Sequence, residues 1–142
     1  MRVFIAGIMQ GSRTDRYIGD QNYRRAIAKA ILEHDEQAEI LDPNELHPNG
    51  VDYDDALAKA TLLEMAHLAA QADLVVAFVP HASMGTAMEM WQAYQANVPV
   101  VTISPMADNW VVKHLSKVVL PDLSAFRAWI LDGGFDKLAE LD

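Results

Sequence analysis

Two hydrophobic periodicities alternate along the chain. Short, continuous apolar runs are separated by stretches in which apolar residues recur every three to four positions, and this alternation predicts a parallel sheet covered by crossover helices. Val3-Phe4-Ile5-Ala6 reads as a strand that breaks at Gly7, followed by a polar loop from Gln10 to Asp15. From Tyr17 to about His34 the spacing is helical, with Tyr23, Ile27, Ala30 and Ile31 on one face. Ala38 to Leu41 is a second strand, stopped by Asp42-Pro43-Asn44. The segment Asp42 to Asp52, with its prolines, asparagines and glycine, is expected to be a long loop at a strand end, where function concentrates. A helix is predicted from about Asp54 to Gln71, then the clearest strand, Leu74 to Val79, apolar throughout as a central strand should be. Pro80 ends it. After His81 to Gly85 come a helix from about Thr86 to Ala96, a strand Val98 to Ile103, a short helix Asp108 to Leu115, a strand Val118 to Leu120, and a last helix Ser124 to Leu131. Gly133-Gly134 is expected to break or cap that helix before a short tail.

Five strands with intervening helices predict a single-domain α/β fold, a five-stranded parallel sheet in a flavodoxin-like or Rossmann-like three-layer sandwich. Such sheets bind ligands beyond the carboxyl ends of their strands. Three loops are expected to meet there: Gly7 to Asp15, His81 to Gly85, and Ser104 to Asn109. Composition narrows the functions available to them. With 142 residues, 51% hydrophobic and 22% charged, the chain can bury a substantial core. A net charge of −9 argues against a nucleic acid polymer as partner, whose affinity comes from Lys and Arg neutralising phosphates. A small anionic ligand stays open, because helix N-termini supply local positive potential. There is no cysteine, hence no disulfide or thiolate chemistry. The apolar run Val3 to Met9 is short for a signal peptide and no segment has membrane-spanning length, so a cytoplasmic location is expected.

The segment richest in chemistry is Ser83-Met84-Gly85-Thr86-Ala87-Met88-Glu89, straight after the central strand. Gly85 permits close approach of backbone to ligand, and the helix that follows presents free N–H groups. Glu89 then lies where a carboxylate can reach a bound molecule. Thr86-x-x-Glu89 also fits a capping box, in which the two side chains satisfy backbone donors, and Ser83 fits a helix cap. The first loop, Gly7-Ile8-Met9-Gln10-Gly11-Ser12-Arg13, is neither a GxGxxG fingerprint nor a P-loop. Its glycines, hydroxyl and arginine can hold a sugar or phosphate, or form a plain loop. Tyr17 is placed to lean on a sugar or base, and His81 sits in the second loop. The histidines show no ligand spacing, so no metal is expected, nor any cofactor. His67 reads as a packed or surface side chain and Asp73 as structural. Trp91, Trp110 and Trp129 read as packing or subunit contacts.

These pieces in order resemble the nucleoside 2-deoxyribosyltransferase superfamily, which includes the 2'-deoxynucleoside 5'-phosphate N-hydrolases. The matching motifs are Phe4-Ile5-Ala6-Gly7, Ala72-Asp73-Leu74-Val75-Val76-Ala77, Ser83-x-Gly85-Thr86-x-x-Glu89 and Val98-Pro99-Val100, spanning about residues 3 to 115. The resemblance implies a small-molecule nucleoside or nucleotide substrate, with Glu89 attacking the anomeric carbon and water or a second base resolving the glycosyl-enzyme. That chemistry is sensible, because breaking an N-glycosidic bond builds positive charge on the sugar that a carboxylate can trap. It further implies that serine at position 83, where free-nucleoside transferases carry an acid, favours a 5'-phosphorylated ligand, with Arg13 as a helper. A homodimer or higher oligomer is implied as well, a neighbour completing each site near Asp108-Asn109; the aromatic residues Trp91, Tyr94 and Trp110 fit that expectation.

The chain departs from the pattern in two places. The family's second acid, eight residues before Asp73, is here Met65, with Glu64 beside it as the candidate. The glycine- and arginine-rich first loop of the nucleotide hydrolases is reduced to Gly11-Ser12-Arg13. Phosphoribohydrolases of the lysine-decarboxylase-like group share a Gly-Thr-x-x-Glu element, but their preceding Pro-Gly-Gly is replaced here by His81-Ala82-Ser83-Met84. A non-catalytic nucleotide sensor of the same fold is the alternative from another class.

Overall fold

The computed structural model describes residues 1–11 and 13–141; Ser12 lies outside the described residues. Five parallel strands form one sheet: β1 (Arg2–Gly7), β2 (Glu39–Leu41), β3 (Leu74–Phe78), β4 (Val100–Ile103) and β5 (Val118–Leu120), in spatial order β2-β1-β3-β4-β5. This is the flavodoxin-like order, and its direction reverses between β1 and β3. The helices are α1 (Asn22–His34), α2 (Pro43–Leu46), α3 (Asp55–Gln71), α4 (Met84–Gln95), α5 (Trp110–Leu115), α6 (Leu123–Leu131) and α7 (Gly134–Leu138), with a 3-10 turn at Gly50–Asp52.

Strand alternation divides the core in two. Val3 and Ile5 of β1 and Leu74 and Val76 of β3 face α1, α6 and α7, while Phe4, Ala6, Val75 and Ala77 face α3, α4 and α5. The central strands are buried on both faces, which is why they read as continuous apolar runs. Ile27 and Ile31 are fully buried and contribute about 1.5–3 kcal/mol each. Asp73, at the amino end of β3, accepts a hydrogen bond from the Arg2 amide at 2.7 Å, the structural role expected of it.

Several boundaries differ from the sequence reading, β4 starting at Val100 rather than Val98 and α5 at Trp110 rather than Asp108. Helix α1 starts at Asn22 rather than Tyr17, because the chain first folds back, the Gly19 amide donating to the Met9 carbonyl. Helix α4 starts at Met84 rather than Thr86, with Ser83 as its cap. The Asp42 to Asp52 loop contains α2, capped by the Asp42 side chain with Pro43 in its first turn, and the 3-10 turn. The tail after Gly133 is helical, Gly133 making the turn at φ 79°.

A charged pair, Arg24 and Asp42, is buried in this framework. Arg24, on α1, donates to the Ile5 carbonyl at 3.1 Å, the Gly7 carbonyl at 3.1 Å, Asp42 Oδ1 at 3.0 Å and Gln21 Oε1 at 2.7 Å. It therefore binds the carboxyl end of β1 to the start of α2. Arg24→Met should lower unfolding free energy by about 3–5 kcal/mol, because Asp42 is left buried without its counter-charge. Adding Asp42→Asn, which keeps a capping oxygen, should restore much of that loss. Urea denaturation of the two variants checks both expectations.

Candidate active site

The strand order leaves a crevice where β1 and β3 part, and Glu89 stands in it. Residues of both faces of the sheet meet there. From one side α4 brings Glu89; from the other α1 brings Tyr23 and Arg24. Gly7, the last residue of β1, lies between them. A Cβ on Gly7 would fall 2.2 Å from the Tyr23 hydroxyl, so only glycine fits beside that ring. Tyr23 is fixed by donating to the Ile8 carbonyl at 2.9 Å and by stacking on Phe78 at 4.3 Å between ring centres.

The earlier start of α4 decides a question the sequence leaves open. Ser83 is the cap, its Oγ 2.8 Å from Thr86 Oγ1 and 3.4 Å from the Thr86 amide it accepts. Glu89 is thus in the second turn of the helix, past the reach of a capping box. It is half-buried, and its carboxylate has no hydrogen-bond partner among the described residues. Burial pushes its pKa from the ordinary 4.5 up to about 8, and the Arg24 charge opposes the rise. Burial likewise raises the Tyr23 hydroxyl above the usual tyrosine value.

Glu89 lines a cleft of about 200 Å³ together with Gly7, Gln10, Gly11, Ser83 and Gly85. A Cβ on Gly85 would meet nothing within 4 Å, so this glycine borders open space. Gly11 adopts φ +59°, with the exposed His81 ring 3.2 Å from where its Cβ would stand. Met9, Met65, Met84 and Met88 supply most of the apolar wall.

Two larger cavities adjoin it. One, of about 300 Å³, shares Gly11, Ser83 and Met84 with the cleft and is walled by Met90, Met106 and Val112. Asn109 lies there, its side chain capping α5 through the Val111 and Val112 amides. The three loops expected to converge therefore do so. The other cavity, of about 620 Å³, shares Met9 and Gln10 with the cleft and lies under the segment from Asn44 to Tyr53. Tyr17 lines it.

The remaining expected residues fall outside these linings. Arg13 is exposed and paired with Asp15 at 2.8 Å. Glu64 is exposed, 3.9 Å from His47 Nε2, while the neighbouring Met65 faces the Glu89 cleft. Sequence reasoning missed Arg24, Tyr23 as a neighbour of Glu89, and the hydrogen-bonded pair His47 and Tyr53. Arg24 falls three and seven residues before Ile27 and Ile31, hence on the buried stripe of α1, and that position was the available signal. Among the described residues no three His, Asp or Glu side chains gather as metal ligands, and no helix is long and apolar enough to cross a membrane.

Comparison with solved structures agrees with this architecture. The chain shares its fold with a 2-deoxyribosyltransferase. That enzyme, from the psychrotolerant bacterium Bacillus psychrosaccharolyticus, aligns with a TM-score of 0.65 and 14% identity over 89% of this chain and 90% of its own. A conserved protein from Enterococcus faecalis aligns at 0.62 with 18% identity, over 93% and 98% of the two chains. No protein-family model matches the sequence, and no curated protein does.

The raised Glu89 pKa sets a test of burial. Between about pH 4.5 and 8 the unfolded carboxyl loses its proton while the folded one keeps it, so raising pH through that window disfavours folding. Glu89→Gln, which has no proton to lose, should escape this decline. Its melting temperature relative to the wild type should climb from pH 4.5 to pH 8 and then level off. A difference that is flat with pH would mean a solvated carboxylate.

Proposed function

We propose that the protein cleaves the N-glycosidic bond of a nucleoside or nucleoside 5'-monophosphate, with Glu89 as nucleophile. The observation that carries this reading is a partly buried carboxylate, in no helix cap and in no hydrogen bond among the described residues, facing a cleft at the parting of β1 and β3. The fold shared with a 2-deoxyribosyltransferase supports it. As the carbon–nitrogen bond breaks, its electron pair stays on the base. A Glu89 oxygen bonds to the anomeric carbon, and water or a second base later displaces the ester. Such a nucleophile must be ionised, so kcat/KM for a substrate whose base departs without protonation should rise with pH up to about 8.

Ser83 and the N-terminus of α4 are the proposed seat of a 5'-phosphate. Ser83 borders both the Glu89 cleft and the methionine-walled cavity, and the helix behind it turns its N-terminal end, where negative charge is favoured, toward them. Gly7, Gln10, Gly11 and Gly85 shape the sugar side of the cleft. A homodimer or higher assembly is also proposed, through the stacked pair Trp91 and Tyr94, half-exposed on α4, and Trp110, 81% exposed on α5. The proposed setting is the cytoplasm.

One observation favours a second reading, a non-catalytic nucleotide-binding module. With its pKa near 8, Glu89 is mostly protonated at neutral pH. Turnover separates the two. Wild-type protein incubated with ribo- and deoxyribonucleoside monophosphates should release free base, and Glu89→Gln should slow release by several orders of magnitude. Tight binding without release would establish the module instead. Ser83→Asp should slow monophosphates far more than nucleosides, through repulsion of about 1–4 kcal/mol at close range; equal slowing would leave Ser83 only a cap. Light scattering at micromolar concentration should return at least a dimer mass.

A further inference from the structure

The Glu89 cleft, at about 200 Å³, is smaller than the ~300–1,000 Å³ of ordinary ligand pockets. A nucleoside seated on Glu89 must therefore extend into an adjoining cavity. The methionine-walled cavity has no side chain that exchanges protons. The 620 Å³ cavity is different: Tyr17, Tyr53 and His47 line it with Gln10 and Asn44, offering ring faces for a planar heterocycle and amides for its edge. It shares Met9 and Gln10 with the Glu89 cleft as common wall. Resting on the glycosidase reading above, we propose that this cavity receives the departing base and that His47 is the acid that protonates it.

The placement of His47 supports the role. His47 closes α2, its amide donating to the Pro43 carbonyl at 2.9 Å, and α2 is anchored by Asp42 and Arg24. Nδ1 of the ring is 2.8 Å from the Tyr53 hydroxyl, and the two rings meet edge to face at 5.7 Å. Tyr53 thus fixes the imidazole and leaves Nε2 as the exchanging nitrogen. The Glu64 carboxylate, 3.9 Å from Nε2, is beyond hydrogen-bond distance. Asp55 and Arg16 are the other charged residues lining the cavity. Histidine is the side chain best suited to proton exchange near neutrality.

The step balances as follows. The carbon–nitrogen bond breaks with its electron pair on the base, while a Glu89 oxygen forms the ester to the anomeric carbon. The Nε2 proton of the imidazolium passes to a ring nitrogen of the base, which leaves neutral, and His47 is left as neutral imidazole. Water then gives its hydroxide to the anomeric carbon and its proton to His47, freeing the Glu89 carboxylate.

The test compares leaving groups that differ in their need for a proton. His47→Gln should slow adenine release from deoxyadenosine monophosphate by about 100-fold or more, the scale of general acid catalysis. Release from the 7-methylguanine counterpart, whose base departs neutral without protonation, should change by less than about threefold, because no acid step is needed. Equal slowing of both, or of neither, would overturn the proton role. A second readout does not need turnover: free adenine titrated into wild-type protein should shift the His47 ring resonances in NMR. No such shift would overturn the base subsite even if the wild type releases base. A shift without base release from any substrate would instead refute the glycosidase reading and its proton step, and leave the cavity as a base-binding site.

Discussion

The arrangement of the crevice depends on one buried guanidinium. Arg24 reaches from α1 to the end of β1, where two carbonyls have no further strand partner, and satisfies both while pairing with Asp42. Arginine suits this place because its donors form a planar fork that can serve several acceptors at once. A lysine offers a single point of charge and could not hold the Ile5 and Gly7 carbonyls and Asp42 in one geometry. Three elements separated in sequence are thereby fixed against one another: the first strand, the first helix and the start of α2. The crevice has its shape because these cannot slide.

The same charge bears on Glu89 from across the sheet. Burial favours the protonated carboxyl and Arg24 favours the ionised one, with burial the larger effect. The result is a carboxyl whose ionisation falls within the physiological range, sensitive to what enters the cleft. A ligand that brings positive charge would shift it toward the carboxylate, and an oxocarbenium-like sugar is such a ligand. A neutral or anionic ligand would leave it protonated.

The sheet and most helix positions were legible in the sequence because both faces of β1, β3 and β4 are covered, so burial wrote uninterrupted apolar runs at Val3, Leu74 and Val100. The convergence of the first, second and third loops followed from strand direction alone. Less legible was anything set by one residue against a distant one. Ser83 and Thr86 are both competent caps, and the local pattern cannot choose between them; the choice moved Glu89 from the first turn to the second and removed its capping alternative. Arg24 falls on the buried stripe of α1, but that position does not name its partners, which lie 17 to 19 residues away along the chain. The cavity under α2 was hidden for the same reason, since a segment with two prolines reads as loop whether or not it roofs a space. The fold agrees with that of the deoxyribosyltransferase aligned above, and Met65, beside the exposed Glu64, lines the cleft as a hydrophobic wall.

That methionine is one of four in the wall around Glu89, in a chain that has seven methionines and no cysteine. Thioether side chains are unbranched and polarisable, so the wall can remould itself around rings of different outline with little strain. It is also the part of the protein most open to oxidants. Met84 is 81% exposed beside Ser83, and conversion to the sulfoxide would put a polar, chiral group at the mouth of the cleft. With no thiol elsewhere to intercept the oxidant, damage would begin at the mouth, and a reductase acting on methionine sulfoxide would be what restores it.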